Sequence, residues 1–287
     1  MDRLTGFGGG GGDAVERSRT GAETGGHAPG GGSAGGGATA RAAWLRTPRP
    51  RPGAAWQLFC LPYAGAILTP YGDWGRRLGP GVEVSCVELP GRGARSAEPP
   101  QRSVDRIVAG LAGPLLDAVR GPYALFGHSF GALLAFELSH ALTGLGRPPG
   151  RLIVSGCVPP CVPRGSRRLH DLPDDRLLEY AVELAGAPTR ALRAFMLPTL
   201  PLLRADLEAF DTYAYAERPA LTTPLTAVRG EADRFVPAGS LPRWGELTTG
   251  PFRTGTLPGG HMYLREQTGP LLSVVREDLE GAPGPSR

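Results

Sequence analysis

The sequence predicts an α/β fold with a mostly parallel β-sheet that is covered by helices on both faces. Apolar runs of strand length recur along the chain, and segments with helical periodicity alternate with them. This alternation is typical of a parallel sheet, because each connection between parallel strands needs a crossover, usually a helix. Hydrophobic residues make up 41% of the 287 residues, which is enough for a packed core.

The first 53 residues differ in composition from the rest. Fifteen of the first 43 residues are glycine. Such a segment buries too little apolar surface to offset the entropy lost on ordering, so residues 1–43 are predicted to be a disordered tail. A Pro-rich linker follows, and one domain is predicted over residues 54–287.

Within this domain, the predicted elements follow the periodicity of the sequence. Strands are predicted at residues 56–61, 82–87, 123–127, 151–156, 225–228 and 252–257. Amphipathic helices are predicted at residues 103–119, 132–142 and 268–279.

The alternation stops between about residues 164 and 215, where helical patterns occur without a clear strand. Two ordinary packing helices are one interpretation of this block, but its position between strands of the sheet favours a helical lid over the active site. Its acidic residues Asp206 and Asp211 are predicted to face solvent.

Composition excludes several classes of function. The chain contains no Lys and no Asn, which excludes Schiff-base lysine chemistry, a Walker-type phosphate loop and a Cys-His-Asn triad. The net charge is only +4 and no dense basic run occurs, so no nucleic-acid partner is predicted. No apolar run approaches the ~20 residues of a membrane helix and no signal peptide is evident, so a cytoplasmic location is predicted. The cysteine spacing does not fit zinc, and neither a metal nor a cofactor is predicted.

The segment Gly127-His128-Ser129-Phe130-Gly131 matches the G-x-S-x-G pattern of a nucleophile elbow. In a chain with 44 glycines the pattern alone is weak evidence. Its context strengthens it, because an apolar strand ends at Gly127 and a helical segment starts just after Gly131. Ser129 is therefore predicted to be a nucleophile exposed at the carboxyl edge of the sheet.

A nucleophilic serine needs a base, and elimination among five histidines favours His261. His261 follows a late strand, whereas the other histidines lie in the tail, in the elbow, far along the next helix or in the insertion. Asp233 follows the strand at residues 225–228 and is the predicted orienting carboxylate, with Glu231 as its nearest competitor. The chain order Ser, Asp, His is that of the α/β-hydrolase fold.

The predicted oxyanion hole uses two backbone N–H groups. One belongs to Phe130, at the start of the helix that follows the elbow. The other belongs to Ala64, in a loop of small residues after the first strand, where the backbone can approach a substrate closely.

Several motifs together resemble the type II thioesterases that accompany polyketide synthases and nonribosomal peptide synthetases. They are residues 58–65 (LFCLPYAG), 88–93 (ELPGRG), 127–132 (GHSFGA), 172–178 (LPDDRLL), 230–233 (GEAD) and 259–264 (GGHMYL). The resemblance implies a helical lid and, as partner, an acyl or peptidyl carrier protein bearing acyl-phosphopantetheine, from which stalled or wrong acyl groups are removed. The chain departs from the family at Tyr63, Ala66 and Phe130, where His, Gly and Met are usual.

Two further expectations concern the lid. Leu203, Leu207 and Phe210 form an apolar stripe that is expected to line the acyl chamber. Carrier proteins are generally acidic, so an arginine cluster that begins the insertion is a candidate docking rim. The cluster consists of Arg164, Arg167 and Arg168.

Two other functions stay open on the sequence alone. An esterase, lipase or acyltransferase would use the same Ser-His-Asp triad. A non-catalytic binding protein that kept the fold is disfavoured by the intact Ser129, Asp233 and His261.

Overall fold

A computed structural model of the chain describes residues 44–67, 70–163, 168–184 and 190–281. Its strands form one sheet in the order β1-β3-β2-β4-β5-β6-β7, and all neighbours are parallel except the antiparallel pair β1 and β3. The strands are β1 (Leu45–Arg46), β2 (Trp56–Leu61), β3 (Val82–Val87), β4 (Tyr123–His128), β5 (Arg151–Ser155), β6 (Leu225–Gly230) and β7 (Phe252–Leu257). The α-helices are α1 (Trp74–Leu78), α2 (Val104–Ala118), α3 (Phe130–Gly144), α4 (Asp174–Leu184), α5 (Arg190–Met196), α6 (Leu200–Asp211), α7 (Tyr263–Glu266) and α8 (Thr268–Glu280). Short 3₁₀ segments lie at Gly93–Arg95, Leu197–Thr199 and Ala238–Leu247.

The central strands are apolar on both sides because helices cover both faces of the sheet. In β2, Phe59 and Leu61 pack on one face, while Leu58 and Cys60 pack on the other. Helices α2 and α3 belong to the first cluster, and α1 and α8 belong to the second. Successive strand residues point to opposite faces, so a strand covered on both sides becomes a continuous apolar run. The predicted fold class is confirmed.

The sheet starts earlier than residue 54, where the composition placed the start of the domain. Leu45 and Arg46 pair with Val87 and Cys86, and the buried indole of Trp44 lies 3.7 Å from the Arg95 guanidinium carbon. A strand of two residues is too short to show periodicity, and its hydrogen-bond partners are distant in the sequence. Residues 1–43 lie outside the described part of the chain, so the predicted disordered tail stays a prediction.

Helices α4, α5 and α6 lie between β5 and β6, within the range predicted for the lid. Their apolar side chains form a cluster of their own, to which Ala64 of the main domain adds a partly buried contact. The cluster consists of Leu177, Leu178, Ala181, Val182, Leu200, Leu203 and Leu207. Within the described ranges, no helix has the length and apolarity needed to cross a membrane.

Candidate active site

Ser129 lies in a tight turn between β4 and α3, as the elbow motif predicts. Its φ is +54° and its ψ is −119°, and no other non-glycine residue in the described ranges has a positive φ. A Cβ atom at Gly127 would lie 2.0 Å from the carbonyl oxygen of Gly131, and one at Gly131 would lie 2.4 Å from that of Leu61. Both glycines are required because the turn brings backbone against backbone. Such a strained conformation is typical of a functional serine.

The structure brings Ser129, His261 and Asp233 together in one hydrogen-bonded chain. His261 Nε2 lies 3.0 Å from Ser129 Oγ, and His261 Nδ1 lies 2.9 Å from Asp233 Oδ2. The Asp233 carboxylate only accepts hydrogen bonds, so Nδ1 carries the imidazole proton and Nε2 is free to accept one from the serine. The Asp233 side chain is fully buried and that of His261 is 8% exposed. Glu231, the competing carboxylate, is exposed.

The loop that carries Asp233 is held by Arg229, a residue that the sequence analysis missed. The buried Arg229 side chain donates to the carbonyl oxygens of Val236, Glu231 and Asp233 at 2.9, 3.0 and 3.3 Å. Asp233 Oδ1 also accepts the Phe235 N–H at 2.9 Å. Both carboxylate oxygens therefore have a fixed partner, which sets the orientation of His261. The sequence feature that could have identified Arg229 is its position in an otherwise largely apolar strand, four residues before Asp233.

His128 is buried beside the triad but belongs to a different network. Its Nδ1 lies 2.8 Å from Ser155 Oγ, which lies 2.6 Å from the Tyr263 hydroxyl. The ring centroids of His128 and His261 are 5.1 Å apart. Burial lowers the pKa of His128 well below its ordinary value, and the charge of nearby His261 lowers it further. His128 is therefore neutral, and its hydrogen bonds do not involve the Ser129 hydroxyl.

The two predicted oxyanion donors come from separate elements, α3 and the loop after β2, which approach each other where Gly131 lies against the carbonyls of Leu61 and Pro62. Phe130 is the first residue of α3, so its N–H has no acceptor in a preceding helical turn. Ala64 lies in the loop of residues 62–66, here called the oxyanion loop, where the Ala66 N–H donates to the Tyr63 carbonyl at 3.2 Å. The neighbouring Gly65 N–H donates to Asp206 Oδ2 at 2.8 Å and is therefore not available to a substrate.

A largely apolar cavity of about 210 Å³ lies between the oxyanion loop and the lid. Its lining includes Ala64, Leu203 and Met262, and also Tyr63 and Arg265, whose hydroxyl and guanidinium form a hydrogen bond of 2.8 Å. The lining does not include the other two residues predicted for the chamber.

These two residues, Leu207 and Phe210, pack elsewhere although they share the stripe of Leu203. Leu207 is buried in the lid cluster, and Phe210 meets Phe130 edge to face at 6.3 Å. The stripe extends over more than one turn of α6, so its residues contact different parts of the protein. Leu203 borders the cavity, whereas Phe210 lies two turns further along and contacts α3.

The arginines predicted for docking are only partly described. Arg164 and Arg167 lie outside the described residues, and Arg168 is exposed. A second depression of about 240 Å³ includes His261 in its lining. At its edge, Arg234 forms an ion pair with Glu183 of the lid.

Asp206 of α6 is buried and Asp211 is half-buried with a side chain that is 8% exposed, so the expectation that they face solvent is wrong. Asp206 is 1% exposed and forms an ion pair with Arg92. Asp211 accepts hydrogen bonds from the backbone N–H and the ring Nδ1–H of His170 at 3.1 and 2.9 Å. Helical periodicity identifies the apolar face of a helix, but it does not show a buried ion pair that another segment provides.

Comparison with known proteins agrees with this geometry. The family model described as "Thioesterase domain" matches residues 56–279. The chain is similar to thioesterase PikA5 of Streptomyces venezuelae, with 34% identity over 84% of this chain and 88% of that protein. It is also similar to the gramicidin S biosynthesis protein GrsT of Aneurinibacillus migulanus, with 32% identity over 82% of this chain and 93% of that protein. Among solved structures, the type II thioesterase BorB from the borrelidin biosynthetic cluster superposes with a TM-score of 0.78 and 36% identity, covering 83% of this chain and 98% of that one. The chain thus belongs to the thioesterase family, as one of its type II members, and is a thioester hydrolase of the α/β-hydrolase fold.

Proposed function

We propose that this protein hydrolyses the thioester bond between an acyl group and the phosphopantetheine arm of an acyl or peptidyl carrier protein. Its role in polyketide or nonribosomal peptide synthesis is to remove stalled or wrong acyl groups. The observation that carries the proposal is the chain Asp233–His261–Ser129, with distances of 2.9 and 3.0 Å, beside an apolar cavity under a helical lid. The similarity to proteins of such biosynthetic pathways supports the pathway.

In the first half of the reaction, Ser129 Oγ attacks the thioester carbon while His261 Nε2 takes its proton. The Nδ1–H of the imidazolium remains hydrogen-bonded to the Asp233 carboxylate. This buried carboxylate stabilises the positive charge of the ring. The N–H groups of Ala64 and Phe130 hold the oxyanion of the tetrahedral intermediate. Collapse of this intermediate breaks the C–S bond, and His261 returns its proton to the departing pantetheine thiol.

In the second half, a water molecule hydrolyses the acyl ester of Ser129. His261 Nε2 removes a proton from the water, and the second tetrahedral intermediate uses the same oxyanion donors. Collapse then releases the free acid and returns the proton to Ser129 Oγ. No step needs a metal or redox cofactor.

The test compares wild-type and Ser129→Ala protein on carrier proteins loaded with different acyl groups, with mass spectrometry before and after treatment. We expect loss of the acyl mass from the carrier and appearance of the free acid only with wild type. A matched pair of acyl-pantetheine thioesters and oxygen esters separates the thioesterase from an esterase or lipase. A clear preference for the oxygen esters contradicts the proposal, and transfer to an added alcohol in place of water indicates an acyltransferase.

The docking part of the proposal keeps Arg164, Arg167 and Arg168 as a positive rim for an acidic carrier protein. Rim charges act mainly on the encounter rate and are screened by salt. Replacing all three with Ala should lower kcat/KM for a carrier-bound substrate at low salt, and less at high salt.

The docking test has two controls. Hydrolysis of a free acyl-pantetheine by the triple variant should hardly change. A second triple variant, with Arg76, Arg106 and Arg253 changed to Ala, removes the same charge from exposed positions outside the lid. Equal losses on carrier-bound and free substrates, or equal losses in the two triple variants, would show that the predicted rim does not dock the carrier.

A further inference from the structure

Arg92 and Asp206 form a buried ion pair between segments that are distant in the sequence. Arg92 lies after β3, and Asp206 lies on α6 of the lid. Arg92 Nη2 donates to Asp206 Oδ1 at 2.6 Å, and the two side chains are 4% and 1% exposed. Burying two charges has a large desolvation cost, which their attraction offsets only when their other polar atoms also find partners. Arg92 Nε has no hydrogen-bond partner among the described residues, so the hydrogen bonds of Asp206 Oδ2 and Arg92 Nη1 indicate what the pair holds in place.

The partners of these two atoms are both in the oxyanion loop. Asp206 Oδ2 accepts the Gly65 N–H at 2.8 Å, and Arg92 Nη1 donates to the Ala66 carbonyl at 3.3 Å. Gly65 has a φ of +72°, and a Cβ atom there would lie 3.0 Å from Leu203 Cδ1. Helix α6 thus contacts the backbone of this loop through a carboxylate and through a leucine one turn away.

These contacts determine the direction of the Ala64 N–H. The Tyr63 carbonyl accepts the Ala66 N–H inside the turn. In a trans peptide the carbonyl and the N–H point in opposite directions, so the Ala64 N–H, in the same peptide unit, points away from the turn. Holding Gly65 and Ala66 preserves this turn and with it the aim of the Ala64 N–H.

We propose that Asp206, paired with Arg92, is a positioning residue for the oxyanion hole, through which helix α6 of the lid keeps the Ala64 N–H aimed at the transition state. The proposal rests on the proposed function in one respect, because that function assigns Ala64 as an oxyanion donor. Helix α6 is then a fixed part of the lid. Arg92 has a second role, because it neutralises a carboxylate close to the site where the oxyanion's negative charge develops.

The first experiment compares Asp206→Ala with the matched control Asp211→Ala. Asp211 is also a hydrogen-bonded carboxylate on α6 with a largely covered side chain, but it holds His170 of the lid and not the oxyanion loop. Loss of a complete oxyanion donor lowers kcat about 10²–10³-fold. A donor that is displaced but still present loses only part of its stabilisation of the oxyanion. We therefore expect Asp206→Ala to lower kcat by about 10–100-fold with little change in KM. Asp211→Ala should keep nearly the wild-type kcat.

The second measurement is the affinity for an alkylboronic acid, which adds to Ser129 as a tetrahedral adduct with an oxygen in the oxyanion hole. Asp206→Ala should weaken this affinity by about the same factor as kcat, and Asp211→Ala should not. A variant Asp206→Ala that binds the boronate like wild type, or equal losses of kcat in both variants, overturns the proposal. This test needs no natural substrate: if wild type binds the boronate but leaves acyl-pantetheine intact, the proposed function fails and the positioning role can still be measured.

Conservative variants keep the test valid if Asp206→Ala does not fold. Asp206→Asn retains an oxygen for the Gly65 N–H and should lose less kcat than the alanine variant. Arg92→Gln leaves the Asp206 charge unneutralised and should lose more kcat than Asp206→Asn. Combining Arg92→Gln with Asp206→Asn should recover part of that loss. A combined variant no faster than Arg92→Gln alone contradicts the role of Arg92 in charge neutralisation.

Discussion

Replacing Asp233 with Asn should inactivate the enzyme by reversing the tautomer of His261. The Phe235 N–H donates to Asp233 Oδ1 at 2.9 Å, so an asparagine must place its carbonyl oxygen there. Its amide nitrogen then faces His261 Nδ1, 2.9 Å away in the wild type, and donates to it. The imidazole proton moves to Nε2, which can no longer accept the proton of Ser129.

The size of the effect follows from this change of tautomer. In a Ser-His-Asp triad the same substitution lowers kcat about 10⁴-fold, which corresponds to roughly 5.5 kcal/mol of lost transition-state stabilisation. The free energy of unfolding should change little by comparison, because Asn has nearly the same shape as Asp. The hydrogen bond from the Phe235 N–H is kept, and the one with His261 Nδ1 is kept with donor and acceptor exchanged. The assay is kcat on an acyl-pantetheine thioester, together with thermal unfolding.

Glu231→Gln is the matched control, because it makes the same chemical change two residues away at an exposed carboxylate. It should leave kcat within about twofold of wild type, since surface substitutions away from special features have small effects. An Asp233→Asn variant with more than about a tenth of the wild-type kcat would refute the assignment of Asp233 as the residue that sets the tautomer.

Three further predictions concern the nucleophile, the tail and acid stability. Ser129→Ala should lower kcat by several orders of magnitude without loss of folding, and near-normal turnover would remove Ser129 from the mechanism. Deletion of residues 1–43 should change neither the melting temperature nor kcat substantially, and a large drop in melting temperature would show that the tail packs on the domain. Burial lowers the pKa of His140 to about 4, below the ~6.5 of an unfolded histidine, so the unfolded state binds more protons between these values. The free energy of unfolding should fall as the pH drops from about 6.5 toward 4. In urea titrations over this range, the free energy of unfolding of His140→Gln should fall less steeply than that of wild type.

Local patterns in the sequence were sufficient for the triad and for every described strand except the two-residue β1. Most of the predicted strands appear as mainly apolar runs because helices cover both faces of the sheet, whereas the edge strand β7 is half-buried to exposed along its length. The elbow is visible because its backbone contacts allow only glycine at positions 127 and 131. His261 and Asp233 were predicted from their order after strands, since the carboxyl ends of parallel strands meet at one edge of the sheet.

Contacts between distant segments were decided only by the tertiary structure. Arg92 and Asp206 lie 114 positions apart and each looks like an ordinary surface charge in its own segment, yet together they hold the oxyanion loop. Leu203 and Phe210 share one helical stripe, but only the fold shows that the first borders the cavity and the second packs on Phe130. Periodicity in a sequence records which face of an element is buried, because burial selects residue type locally. It does not record which partner covers that face, because the partner is supplied by another part of the chain.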